Sequence, residues 1–223
     1  MWRRVLLSLF VLLRMAWPAT GQPAANEARE RDHEFLQCAM GLLYMGMLGE
    51  DQPVVRAFLY ADGDPKHLLV EAHARRLLAN MRFLKAIAKL DVDIAHGGNP
   101  FAENHIFAAD DFAFAMLAGN WLIEGNTARL PPEERMGEAQ QPPPPPLIKV
   151  NGIWKVNLTP VPAPRSAEEL ATRINRYAEV LEQVVAEITS GKFKNVEQIS
   201  RALKQAPPLK SAGHLPDLVL TLP

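Results

Sequence analysis

Between residues 96 and 111 the candidates for acid–base chemistry are His96, His105, Asp110 and Asp111. An aspartate or histidine in a dry pocket can abstract a proton beside a carbonyl, with a phenol or protonated acid stabilising the oxyanion. Tyr44 and Tyr60 are phenols of that kind. Each residue also has a plainer use. Asp110 and Asp111 stand where a brief helix through Ala118 would begin, and aspartate there accepts from the free amides of the first turn. A tyrosine in an apolar stretch packs its ring and keeps one edge wet. His96, Glu103, His105 and Asp110 follow no metal-ligand spacing and offer no i, i+4 pair on a helix. His67 and His73 are six apart and do not share a helix face. The chain has no Gly-rich phosphate cradle and no Gly-x-Ser-x-Gly elbow. The plainer uses carry most of the weight, so neither metal nor cofactor is expected.

The elements that would position these residues belong to a chain of 223 residues, long enough for one sizeable core and appendages. Basic and acidic residues nearly cancel, at 24 and 25, so there is no electrostatic footprint for nucleic acid. Arg3 and Arg4 precede an apolar run, Val5 to Leu13, and Ala19-Thr20-Gly21 supplies small residues at cleavage offsets. This pattern is a secretory signal cut before Gln22, with retention as an anchor the minority outcome. The run is far shorter than the roughly 20 residues that span a bilayer. Cleavage would remove three arginines and leave a formal charge of −4. The expected location is periplasmic or secreted, with no stable membrane span. Cys38 is the only cysteine, so no internal disulfide forms. Amid Phe35, Leu36, Met40 and Leu43 it reads as a small buried hydrophobe.

Residues 22–33 read as a mobile lead-in. A helix follows over 34–48, with its end weakened by Gly46 and Gly49. Gly49-Glu50-Asp51 reads as a cap into a second short helix, Gln52 to Tyr60. Asp64-Pro65 restarts a long helix to about Leu90, whose seam is Val70, Ala74, Leu77, Met81, Leu84 and Ala88. Arg75, Arg76, Arg82, Lys85 and Lys89 fall off that seam and read as a solvated face. Gly125-Asn126 and Asn151-Gly152 each sit between β-favouring residues and predict two hairpins joined by a proline-rich connection, residues 131–146. A two-residue turn in the second sets Val150 against Ile153 and Lys149 against Trp154. It turns Leu147, Lys149, Trp154, Val156 and Leu158 to the core, with the Lys149 stem along the indole and its ammonium in water. A bulge would change that register. Ser166 and Glu169 form a capping box. The helix behind it carries a 4-3-4-3-4 seam, Leu170, Ile174, Tyr177, Leu181, Val184 and Ile188, and Asn195 caps a short last helix. Residues 206–223 are a Pro-rich tail.

The fold class expected is α+β: N-terminal helices packed on a curved antiparallel sheet, followed by a C-terminal helical hairpin. The opening helix with Gly49-Glu50, the stretch Tyr60-Ala61-Asp62, the Gly125–Ala128 turn and above all Lys149-Val150-Asn151-Gly152-Ile153-Trp154-Lys155-Val156 resemble the nuclear-transport-factor-two-like (cystatin-like cone) superfamily. They resemble its small exported bacterial members most. The resemblance covers residues 34–160, a cone-like domain; residues 161–205 lie outside it as a helical segment. It implies a sheet wrapped round a long helix. The open mouth is catalytic in ketosteroid isomerases and polyketide cyclases and a binding surface elsewhere. No catalytic group of that family aligns with a residue here. The function expected is therefore that of an exported, non-catalytic binding or scaffold protein. It would use the cone pocket, lined by Tyr44, Tyr60 and Trp154, or the C-terminal helical seam. Its expected partners are a small apolar ligand and a second copy of the chain. The alternative is a small lyase or isomerase that abstracts a proton in the cone.

Overall fold

A computed structural model describes residues 25–90, 120–129, 146–159 and 166–205. The chain divides into Met1–Arg31 and Asp32–Pro223, and the sheet and its packing belong to the second unit. Helix α1 runs Ala25–Leu48 and α2 Gln52–Ala57. Strand β1 is Leu59–Tyr60, and α3 runs His67–Ala88. Two hairpins follow, β2 (Leu122–Glu124) with β3 (Thr127–Arg129) and β4 (Leu147–Val150) with β5 (Ile153–Asn157). Helices α4 (Ala167–Thr189) and α5 (Val196–Gln205) come last. The architecture is α+β, with a five-stranded sheet in mid-sequence, ordered β1-β5-β4-β3-β2.

The hairpins form as their turn residues dictate. Asn151 and Gly152 take φ of 52° and 80°, the left-handed pair that a tight hairpin turn needs. Lys149 pairs with Trp154 and Val150 with Ile153, so the two-residue register holds without a bulge. Leu147, Trp154, Val156 and Leu158 are buried on one face. Lys149 shares that face and is part-buried: Nζ donates to Asp32 Oδ1 at 2.5 Å and lies 5.6 Å from the indole centroid. A charge turned toward the core needs a counter-ion close by, and α1 supplies it.

Four expectations are corrected. The sheet is mixed, because β1 lies parallel to β5, with Leu59 opposite Val156. The helix expected over 52–60 therefore stops at Ala57. Phe58-Leu59-Tyr60 are β-favouring residues, and their backbone pairs with β5: Val156 N–H donates to Phe58 O at 2.9 Å and Leu158 N–H to Tyr60 O at 2.7 Å. Residues 25–33, expected as lead-in, are helical, because Ala, Glu and Arg are strong helix formers. Cys38 is exposed, not buried; the core side of α1 is taken by Leu36, Met40, Leu43 and Met47.

The long helix α3 is buried on two sides. Ala74, Leu77, Leu78 and Met81 join α1, α2 and the sheet. Leu69, Ala72, Ala79, Phe83 and Ile87 pack with α4 and α5. The second face was absent from the seam expected for this helix. Every residue of the α4 seam is buried, inside the chain. The capping box at Ser166 and Glu169 carries both of its bonds. Three of the bases expected on a solvated face are partly exposed and also act as fasteners. Arg75 donates to both carboxylate oxygens of Glu182, at 3.1 and 2.7 Å, and to Glu179 at 3.2 Å. Arg82 and Lys85 clasp Glu50 at 2.8 and 3.0 Å. Lys85 also donates to the Leu48 carbonyl at the end of α1, at 2.7 Å.

Whatever Gly46 costs α1 in helix propensity, it lets α2 approach. A Cβ there would stand 2.6 Å from Val54 Cγ1. Gly46→Ala gains about 1 kcal/mol of helix propensity and loses roughly 1–3 kcal/mol to overpacking. The expected net is destabilisation in urea unfolding. Adding Val54→Ala should then cost less than Val54→Ala costs alone, a departure from additivity that a double-mutant cycle measures.

Candidate functional site

His96, His105, Asp110 and Asp111 lie outside the described residues. Tyr44 is half-buried on α1 and packs against the cluster of α1, α3 and sheet residues. Tyr60 is half-buried on β1, opposite Asn157. Trp154 is fully buried beneath the sheet, with no ring face left for a ligand. Tyr44 packs against the cluster that contains Trp154, and Tyr60 lies on the strand paired with the Trp154 strand. His67 is exposed and bonds Asp64 Oδ1 at 3.0 Å. Among the described residues no three metal-ligating side chains converge, and no helix is long and apolar enough to cross a membrane.

A different set of polar groups stands in the interior. His73, Arg76 and Asn80 are spaced three and four apart on α3, which places them in one stripe with neighbouring Cβ atoms about 5–6 Å apart. His73 and Asn80 are buried and Arg76 half-buried. Tyr177 of α4 faces the stripe beside Arg76. Its hydroxyl is buried without a hydrogen-bond partner, and so is Asn80 Oδ1. Two indole N–H groups, Trp121 Nε1 and Trp154 Nε1, are unsatisfied in the same sense. Native interiors pair nearly all such atoms, so each exception calls for a reason.

Electrostatics follow burial. Burial holds the His73 imidazole well below its ordinary range, and the neighbouring Arg76 cation pushes the same way. Burial also pushes the Tyr177 phenol up, against the opposing pull of Arg76. Near neutral pH the site holds a neutral imidazole, a neutral phenol and a guanidinium. Among the described residues His73 and Asn80 are the buried polar ones, and no carboxylate is buried with them. At the rim of the other cluster, bonds from Arg82 and Lys85 hold the Glu50 carboxyl below the usual carboxylate range.

Sequence reasoning missed this stripe. Its signal was available: three polar side chains at helical spacing within a segment whose remaining flanks are apolar. Tyr177 was placed correctly in the α4 seam, but as a packing residue only.

A histidine with a depressed folded pKa stays neutral in the fold while the unfolded chain takes up the proton. Stability is then present above about pH 6.5 and falls as the pH drops below it, by up to about 1.4 kcal/mol per unit. Thermal unfolding followed from about pH 7.5 to 5.5 should show wild type losing stability and His73→Gln holding nearly level. Equal slopes in the two proteins would contradict the burial assigned to His73. The Glu50 contribution has the other ordering: it is intact above the unfolded carboxylate value and lost only at lower pH. Comparison of the chain with family models, with curated proteins and with solved structures finds no match.

Proposed function

We propose that this protein is an exported, non-catalytic binding or scaffold protein of the cone type, and that the outer face of α1 pairs with a second copy of the chain. The observation that carries the pairing is a second apolar stripe on α1. Phe35, Cys38, Leu42 and Met45 recur at intervals of three, four and three, on a flank turned away from the buried Leu36, Met40, Leu43 and Met47. Phe35 is 41% and Met45 55% exposed, Cys38 is exposed and Leu42 half-buried. That spacing is the narrow seam of paired helices, and large apolar side chains grouped on a surface mark a contact.

A second copy fits because the seam is self-complementary. In a parallel two-fold pair each residue meets its own counterpart, Phe35 on Phe35 and Cys38 on Cys38. The seam spans about 15 Å along the helix, well short of the roughly 800 Å² per partner of a standard interface. Pairing by this stripe is accordingly weak, in the range of tens of micromolar or above. Export is supported by the charged-then-apolar opening of the sequence, Arg3 to Leu13. Kinship with the cone superfamily is supported by the 149–156 hairpin, whose register and buried indole suit that motif.

Sedimentation equilibrium up to about 100 µM should show concentration-dependent dimer. Phe35→Glu with Met45→Glu should give monomer with an unchanged melting temperature, because neither side chain contributes to the core. A short bismaleimide should join two chains at Cys38 in wild type and fail to do so in the double variant. Wild type that stays monomeric and uncrosslinked throughout would overturn the pairing.

A further inference from the structure

Three large apolar side chains stand exposed among the described residues: Phe35, Met45 and Leu122. The first two belong to the α1 stripe. Leu122, 45% exposed, opens β2, the strand at one end of the sheet. Among the described residues β2 pairs with β3 alone. Glu124 and Thr127 flank a two-residue turn, so they exchange both of their backbone bonds. Alternation along the ladder then turns the Ile123 N–H and C=O to the open side. Side chains alternate as well. Ile123 lies opposite Ala128 and Ala128 opposite Leu147, both of them buried, so Ile123 faces the core and Leu122 faces outward. An edge with free backbone groups and an apolar side chain on each face is one that sheets ordinarily cover. The strand at the other end, β1, is two residues long and follows closely on α2, which leaves little backbone to pair.

We propose that the segment Leu218-Val219-Leu220-Thr221-Leu222 of the same chain adds to the open edge of β2 as a further strand. The segment carries no charge, Val219 and Thr221 are β-favouring, and its leucines are spaced two apart. With Leu220 opposite Ile123, the leucines at 218, 220 and 222 turn to the core side. Val219 and Thr221 then lie on the outer face with Leu122. The reach suffices. Twelve residues, 206–217, separate the segment from the end of α5. Extended chain covers up to about 40 Å in that length, roughly the width of a domain of this size. Pro207, Pro208 and Pro216 fall in the connection and none within 218–222, so the strand keeps the amides that a ladder needs. A tether of this length holds its end at an effective concentration on the order of millimolar, which favours the chain's own segment over that of a second copy. The α1 stripe takes no part, so the edge and the pairing of α1 stand or fall separately.

Amide hydrogen exchange of the full chain, read residue by residue by NMR, tests the assignment. In wild type the amides of Ile123 and of Val219, Leu220 and Thr221 should exchange about a hundredfold or more slower than those of an unpaired chain. Leu220→Pro removes a donor from the middle of the added strand. It should return both Ile123 and the segment to fast exchange while residues 153–157 keep their protection. Phe35→Glu with Met45→Glu should leave the wild-type pattern unchanged. Wild-type residues 218–222 exchanging at the unpaired rate would overturn the proposal, whatever the variants do. So would protection of the segment with Ile123 indifferent to Leu220→Pro, which would put the segment elsewhere. Protection that vanishes on tenfold dilution would overturn it too, because the added strand would then be a second copy's.

Discussion

Water is kept from α3 on two opposite sides, and a different part of the chain covers each. On one side Ala74, Leu77, Leu78 and Met81 meet α1, α2 and the sheet, with the Trp154 indole in the same cluster. On the other, Leu69, Phe83 and Ile87 meet Ile174, Leu181 and Ile199 from the last two helices. Burying one large aliphatic or aromatic side chain contributes about 1.5–3 kcal/mol, while a whole domain retains only about 5–15 kcal/mol. Uncovering either side of α3 would therefore cost an amount comparable with the total. Helices α4 and α5 are a requirement of this arrangement. The α4 seam that could serve as a docking stripe on an isolated helix is spent inside the chain.

Around this helix the charged side chains sit at rims. Arg75 reaches α4, Arg82 and Lys85 reach the end of α1, and Lys149 reaches the start of the same helix's buried course at Asp32. Half-exposed pairs of this kind contribute at most about 1 kcal/mol each. Their effect is geometric: Arg75 grips Glu182 with two donors, which fixes how α4 is rotated against α3. Lys149 is the exception in kind. It occupies a core-facing place in the pleat, and the indole beneath it and the carboxylate beside it are what make an ammonium tolerable there.

Local chemistry made some of this legible from residues alone. Asn151-Gly152 fixed a turn, the turn fixed a register, and the register put Trp154, Val156 and Leu158 on one face. Ser166 and Glu169 marked the start of α4 in the same way, because a cap is satisfied within four residues. What stayed hidden depended on partners far along the chain. Leu59 and Tyr60 become a strand only because β5, almost a hundred residues later, offers an edge. Cys38 looked buried among apolar neighbours, yet α1 carries two apolar stripes and Cys38 belongs to the outer one. The second face of α3 escaped notice because alanines dilute it: Ala72 and Ala79 alternate with Leu69 and Phe83. The histidines and aspartates of 96–111 lie outside the described residues, so the α3 stripe is what the structure offers in their place.

That stripe is costly by ordinary rules. Interior polar groups are tolerated when their hydrogen bonds are made, and apolar residues of similar size would serve packing as well or better. One use of a buried polar group is to fix how two helices align, as a single asparagine does in paired helices. Such a role requires that the group be bonded across the interface, since only a made bond penalises the wrong alignment. Asn80 Oδ1 and the Tyr177 hydroxyl are not bonded across the α3–α4 seam, so they cannot enforce its register. Alignment is already set at the rim by Arg75 on Glu182 and Glu179. The unpaired Asn80 oxygen and Tyr177 hydroxyl therefore count against stability, and a neutral His73 in the same stripe keeps the interior free of a second cation.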